Sequence, residues 1–211
     1  MKLIIALCVF STALFPALSS LGQSNPIKRY YEEGSLKAEG ELSNQGKEGA
    51  WTFYYPNGRI NSTEHYRHDS LHGTVQYYDF EGALIAEEQW TEGLQQDSSF
   101  YYYPNGSLEK KGVFAQGLYE GVWVFYYENG QTKRTGTYQQ GLPEGAWTFY
   151  HENGKLWQTG FFAQGKESGN WKFYTPEGNL EYTGQYKAGE RVGDWYYYNV
   201  KGKKKRVKIE G

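Results

Sequence analysis

Three histidines fall within one short stretch, His65, His68 and His72. Imidazoles this close could ligate a divalent metal. Shifted by the chain's own period, their counterparts include Glu41, Gln116 and Glu120. They therefore read as exposed strand and loop positions, and no metal or cofactor is expected. His151 stands where other units carry Tyr55 or Tyr127, and reads as a packing or surface variant. Carboxylates are spread over turn positions such as Glu120, Glu144, Glu152 and Glu167. General acid–base work needs one environment that raises one pKa. A repeated surface gives every unit similar surroundings. No serine-elbow, zinc-protease or phosphate-loop motif is present. An enzyme is not expected.

The aromatic residues could instead form a ladder for sugars or quaternary amines. Strand alternation puts Trp51, Phe53 and Tyr55 on one face, with Thr52 and Tyr54 on the other. Trp and Phe are the available core material, so the candidate ligand column is Tyr54, Tyr78, Tyr102, Tyr126, Tyr150 and Tyr174. A basic tail holds Lys203, Lys204, Lys205, Arg206 and Lys208. It could contact an anionic lipid or polymer. It also serves as a charged cap on the last half-unit, discouraging edge pairing.

These residues are positioned by a repeat. The turn glycines Gly34, Gly58, Gly82, Gly106, Gly130, Gly154, Gly178 and Gly202 recur every 24 residues without insertion or deletion. A tyrosine precedes each by four residues, from Tyr30 to Tyr198. A second glycine column holds Gly49, Gly73, Gly121, Gly145, Gly169 and Gly193, with Asp97 the exception. Two residues on stand Trp51, Val75, Ser99, Trp123, Trp147, Trp171 and Trp195. Eleven residues before each of these tryptophans is a glycine: Gly40, Gly112, Gly136, Gly160 and Gly184. Before Val75 and Ser99 it is Glu64 and Glu88. The match predicts that each indole lies across the bare backbone of the preceding strand. Units two and three break the pattern most, which suggests a softer or bent section, or one relieved of Trp packing. The Asn-Gly pairs, as in Pro56-Asn57-Gly58, predict hairpins, because both residues tolerate positive φ. Segments such as Gly141-Leu142-Pro143-Glu144-Gly145 predict a loop back to the next unit.

The expected fold is all-β: an elongated antiparallel meander sheet of about seven 24-residue hairpin repeats. Fourteen or so strands at ~4.8 Å each give a sheet ~70 Å long. Net charge is −2, which lacks the basic balance of a general nucleic-acid binder. The single cysteine, Cys8, precludes a disulfide framework or a cysteine metal site in the rest of the chain. Leu7 before it is not the small residue that a lipidation signal requires. Lys2 followed by apolar Leu3 to Phe10 reads as a secretory signal. Ser20 and Gly22 fit a cut before Gln23, with Ala17 and Ser19 the alternative. The expected organisation is a signal at 1–22, a linker at 23–29, the array at 30–198 and a basic half-repeat cap at 199–211.

The pattern Y-Y-x-N-G-x-L-x-x-x-G-x-Y-x-x-G-x-x-x-G-x-W-x-F-Y resembles the MORN repeat in its bacterial variant form, over residues 30 to 198. That resemblance implies an interaction scaffold, sometimes one that touches lipid. It extends to YwqK-family antitoxins of toxin–antitoxin systems. Those imply a cytoplasmic partner, which the signal contradicts. The expectation is an exported, periplasmic, outer-surface or secreted scaffold for a protein or envelope component. A toxin-neutralising protein and a cell-surface polysaccharide binder are the alternatives. Membrane contact would run through the basic tail; oligomeric state is open.

Overall fold

In the computed structural model, residues 25–208 are described; the signal segment, Cys8 and the cleavage positions lie outside them. The chain forms β1 (Asn25–Tyr30), β2 (Leu36–Ser43), β3 (Gly46–Tyr54), β4 (Ile60–Arg67), β5 (Ser70–Leu71) and β6 (Gly73–Tyr78). Next come β7 (Leu84–Thr91), β8 (Leu94–Gln95), β9 (Asp97–Tyr102), β10 (Leu108–Ala115), β11 (Leu118–Tyr126) and β12 (Thr132–Gln139). The last are β13 (Leu142–Tyr150), β14 (Leu156–Ala163), β15 (Lys166–Tyr174), β16 (Leu180–Lys187), β17 (Glu190–Tyr198) and β18 (Lys204–Val207). All pair antiparallel with their chain neighbours, giving the expected open meander. β5 with β6, and β8 with β9, are each one strand interrupted by a single residue. The segment expected as a linker is β1 from Asn25 onward, because its backbone pairs with β2 from Asn25↔Leu42 to Tyr30↔Leu36. The basic tail contributes β18, paired to β17 from Trp195↔Val207 to Tyr198↔Lys204.

One sheet has no second layer to pack on, so apolar burial must come from its own side chains. The indoles achieve this. A Cβ added to Gly40 would stand 2.3 Å from Trp51, and one on Gly136 2.1 Å from Trp147. Gly112, Gly160 and Gly184 meet Trp123, Trp171 and Trp195 as closely. The five tryptophans are 0–4% exposed. The second glycine column makes this possible. Between Glu39↔Thr52 and Glu41↔Glu48 the ladder sets Gly40 against three residues, Gly49, Ala50 and Trp51. Gly49 takes φ 66°, the left-handed bulge conformation that glycine adopts without strain. The indole fills this gap and donates its N–H to the Glu41 carbonyl at 3.1 Å. Trp123 and Trp147 donate likewise to Val113 and Thr137. In the two units without the Trp, the strand is interrupted there, at His72 and at Gln96.

The Asn-Gly segments close hairpins as expected, β3 pairing with β4 across Asn57-Gly58. At Pro56-Asn57-Gly58 only the glycine is left-handed, at φ 83°. Asn57 acts through its side chain, whose Oδ1 accepts the Arg59 N–H. Gly106, Gly130, Gly154 and Gly178 repeat this conformation at φ 80–92°. The two-residue turn with both φ positive is the other linker, as at Gln140 (φ 51°) and Gly141 (φ 81°).

Replacing Gly136 with Val is expected to force Trp147 off the strand. The loss of stability should be roughly 1–3 kcal/mol, the usual cost of overpacking, read as a lower denaturant midpoint with a more exposed tryptophan emission.

Candidate functional site

The sheet has two chemically different faces. The face without indoles carries the tyrosines expected as the ligand column, Tyr54, Tyr78, Tyr102, Tyr126, Tyr150 and Tyr174, all half-buried. They are set among polar neighbours. The Tyr54 hydroxyl donates to Glu39 at 2.6 Å, and Lys28 pairs with the same carboxylate at 3.1 Å. The hydrogen bond from Tyr54 is the main reason that the Glu39 carboxyl sits below its ordinary pKa. The Tyr78 hydroxyl donates to Gln76, whose amide donates on to Glu87. Tyr55 lies just beyond the end of β3, and its hydroxyl crosses to the Tyr78 carbonyl at 2.9 Å. Tyr31, Tyr103 and Tyr127 make the same bond one repeat onward. His151 replaces tyrosine in this ladder, with Nε2 2.9 Å from the Tyr174 carbonyl.

On the indole face a row runs straight across the sheet. Phe53, Tyr77, Tyr101, Phe125, Phe149 and Phe173 alternate with Ser62, Ala86, Lys110, Arg134, Gln158 and Tyr182. The rings recur from repeat to repeat, while the residues between them change in size and charge. A second ring column, Tyr66, Trp90, Phe114, Tyr138, Phe162 and Tyr186, was not assigned a role from sequence. Apart from Trp90, its members stand edge-on to the indoles, as Tyr138 does to Trp147 at 5.1 Å and 85°. The 24-residue step reveals it: Phe114, Tyr138, Phe162 and Tyr186 each follow a strand glycine by two residues, and Tyr66 and Trp90 follow Glu64 and Glu88 in the same register.

Units two and three put carboxylates where the other units have bare backbone. Glu88 is 7% exposed and accepts from the Tyr101 hydroxyl at 2.7 Å and from Trp90 Nε1 at 3.0 Å. Glu64 accepts from Ser62 at 2.7 Å and from the Tyr66 hydroxyl. A buried carboxylate is tolerable when hydrogen bonds surround it. Burial, then the nearby carboxylates Glu88 and Glu64, push the Tyr77 hydroxyl up to about 12. Burial first, and then the bonded carboxylate, also raise Tyr66 and Tyr101.

The remaining candidates separate. His68 Nδ1 lies 3.4 Å from Glu48, and the His72 N–H donates to the His65 carbonyl. Among the described residues, no group of three or more His, Cys, Asp or Glu could hold a metal. Glu120 and Glu144 accept the backbone N–H of Gln140 and Gln164 in the next turn, so they tie repeats together. In the tail, Arg206 pairs with Asp194 and the Lys204 ammonium lies 3.5 Å over the Tyr196 ring.

Single-layer hairpin repeats in this register define a β-repeat array. The profile of the MORN repeat variant family matches residues 47–68, 98–116, 119–140, 143–164 and 167–188, together half of the chain. The chain belongs to that family, whose repeats are generally protein- or membrane-binding motifs. The unmatched stretch between residues 68 and 98 holds Val75 and Glu88. No curated protein matches the chain. Among solved structures, a crystal structure of a GtfA/B complex bound to UDP and GlcNAc is 14% identical, with a TM-score of 0.25 over 53% of this chain and 22% of the other. A TcdB2-TccC3-TEV crystal structure is 14% identical, with a TM-score of 0.21 over 82% of this chain and 11% of the other. This chain thus spans about a fifth and a tenth of those molecules. At such scores, neither likeness bears on what it does.

Two outcomes follow. Exchanging His151 for Tyr should keep the bridge to Tyr174, whereas Phe should cost about 0.5–1.5 kcal/mol, the net value of one hydrogen bond, in denaturant titrations. Tyr77 keeps its proton in the folded state between pH 10 and about 12, where the unfolded chain loses it. Its stabilisation is complete below pH 10 and is lost as pH rises through 12. A spectrophotometric titration should show Tyr66, Tyr77 and Tyr101 ionising last, together with loss of the sheet.

Proposed function

We propose that this chain is a non-enzymatic exported scaffold that holds a protein or an envelope component along its sheet. The observation that carries this reading is the division of labour within the repeat. The Gly, Trp and ring columns recur and serve the fold. The row between the rings runs Ala38, Ser62, Ala86, Lys110, Arg134, Gln158 and Tyr182, changing from unit to unit at one register position. A surface that varies on a constant frame suits the recognition of an extended partner. Export is supported by Lys2 and the apolar run from Leu3 to Phe10.

The test is affinity capture from the envelope fraction of the source organism, with the unaltered chain beside a variant carrying Tyr102→Ala, Tyr126→Ala and Tyr150→Ala, and a second carrying Lys110→Ala and Arg134→Ala. One envelope component retained by the unaltered chain and lost from one variant is the expected result, and the variant that loses it names the face. Capture of a cytoplasmic toxin, whose activity the chain suppresses, would replace this reading with the antitoxin one. Equal retention by all three chains would remove both faces as binding surfaces.

A further inference from the structure

The middle of the indole face differs from its two ends. Here Lys110 and Arg134 flank Phe125 in the cross-sheet row. Each cation leans over the ring one strand toward the N-terminus. The Lys110 ammonium lies 4.1 Å from the Tyr101 centroid, and the Arg134 guanidinium 4.1 Å from that of Phe125. Tyr101 is on β9 and Phe125 on β11, so the two charges stand two strand spacings apart, ~10 Å. Lys110 donates to the Tyr119 hydroxyl at 2.9 Å, a neutral partner. Arg134 Nε is buried with no hydrogen-bond partner. Among the described residues, neither cation has a carboxylate within ion-pair distance. The groove they line holds about 330 Å³, its other walls being Tyr103, Glu109, Tyr119, Phe125, Tyr126 and Lys133. Three cations against one carboxylate leave it positive.

We propose that this groove binds an acidic polysaccharide, with carboxylates on alternate sugar rings reaching Lys110 and Arg134. The inference rests on the reading of the chain as a binding array, and it names one ligand class for one face. Two half-buried cations without a counterion, one with a buried and unpartnered Nε, are complemented by an anionic ligand. The stacked guanidinium is held in place on Phe125, which leaves its edge N–H donors for a planar carboxylate. Tyr119, between the two cations, offers a ring for the CH face of a pyranose and a hydroxyl for its hydroxyls. The spacing selects the ligand. An extended peptide shows same-face side chains every ~7 Å, which falls short of the span between the two charges, whereas alternate sugar rings cover it.

The experiment is titration calorimetry of the purified chain with oligogalacturonate. Controls are the fully methyl-esterified oligomer, poly-glutamate and anionic phosphatidylglycerol vesicles. Binding is expected for the free acid alone, about tenfold weaker for each of Lys110→Gln and Arg134→Gln, as for loss of one charge-assisted hydrogen bond. Lys133→Gln, on an exposed rim residue, should weaken binding less and keeps the test open if a groove variant fails to fold. Equal affinity in the variants, equal affinity for the esterified oligomer, or tighter binding to poly-glutamate or vesicles would overturn the proposal. Failure here together with successful envelope capture would remove the polysaccharide site and leave the scaffold reading in place.

Discussion

The structure depends on a tryptophan ring laid flat on a strand that has no side chain beneath it. A sheet in a single layer exposes both faces, and ordinary aliphatic packing cannot dry it. An indole over glycine brings a large apolar surface into contact with backbone and needs no opposing layer. The glycine is obligatory, because its Cβ would fall 2.1–2.3 Å from the indole of the same unit. The left-handed glycine two residues before the Trp is equally part of the device. It opens the bulge that the ring then fills, and the Trp51, Trp123 and Trp147 N–H groups donate to a carbonyl in that irregular stretch.

Repeat is joined to repeat by three further ladders. Tyr55 and its counterparts donate across to a carbonyl 23 residues on. The turn asparagines Asn129 and Asn153 do the same from their amides, to Glu152 and Pro176. On the opposite edge, Glu120 and Glu144 take backbone N–H groups 20 residues on. Each bond contributes modestly, about 1 kcal/mol net, yet each spans one neighbour interface, which is where the stability of a repeat array resides. Substitutions within the ladders keep the function of the position: His151 retains a ring nitrogen at the same carbonyl distance as the tyrosine hydroxyls.

Much of this was legible from spacing alone. Trp51 and Gly40 are matched in sequence because they touch in space, so the column rule and the contact are the same fact. The turn types were not legible, because Asn57-Gly58 and Gln140-Gly141 carry similar residue types. Which pair is left-handed at both positions depends on the bulge and on the strand lengths either side. The role of Glu120 and Glu144 was hidden for a related reason: the backbone they bind belongs to the next turn, and its proximity depends on how the strands stack. Glu64 and Glu88 could be seen only as departures from glycine. That their carboxylates occupy the space of a missing indole, bonded by Tyr66, Tyr101 and Trp90, required the assembled face.

The same frame sorts the surface by function. Columns that cannot vary without breaking the sheet carry no information about a partner, and the row between the rings is free to carry it. The central claim is that a column Trp and its glycine form one energetic unit, absent from unit three, where Ser99 and Glu88 stand in their place. A double-mutant cycle measures this directly, with Ser99→Trp, Glu88→Gly and both together followed by equilibrium unfolding. Ser99→Trp alone should destabilise by collision with Glu88, and Glu88→Gly alone by stripping Trp90 and Tyr101 of their acceptor. The pair together should be more stable than the unaltered chain. Additive losses, with no coupling between the two positions, would contradict the account.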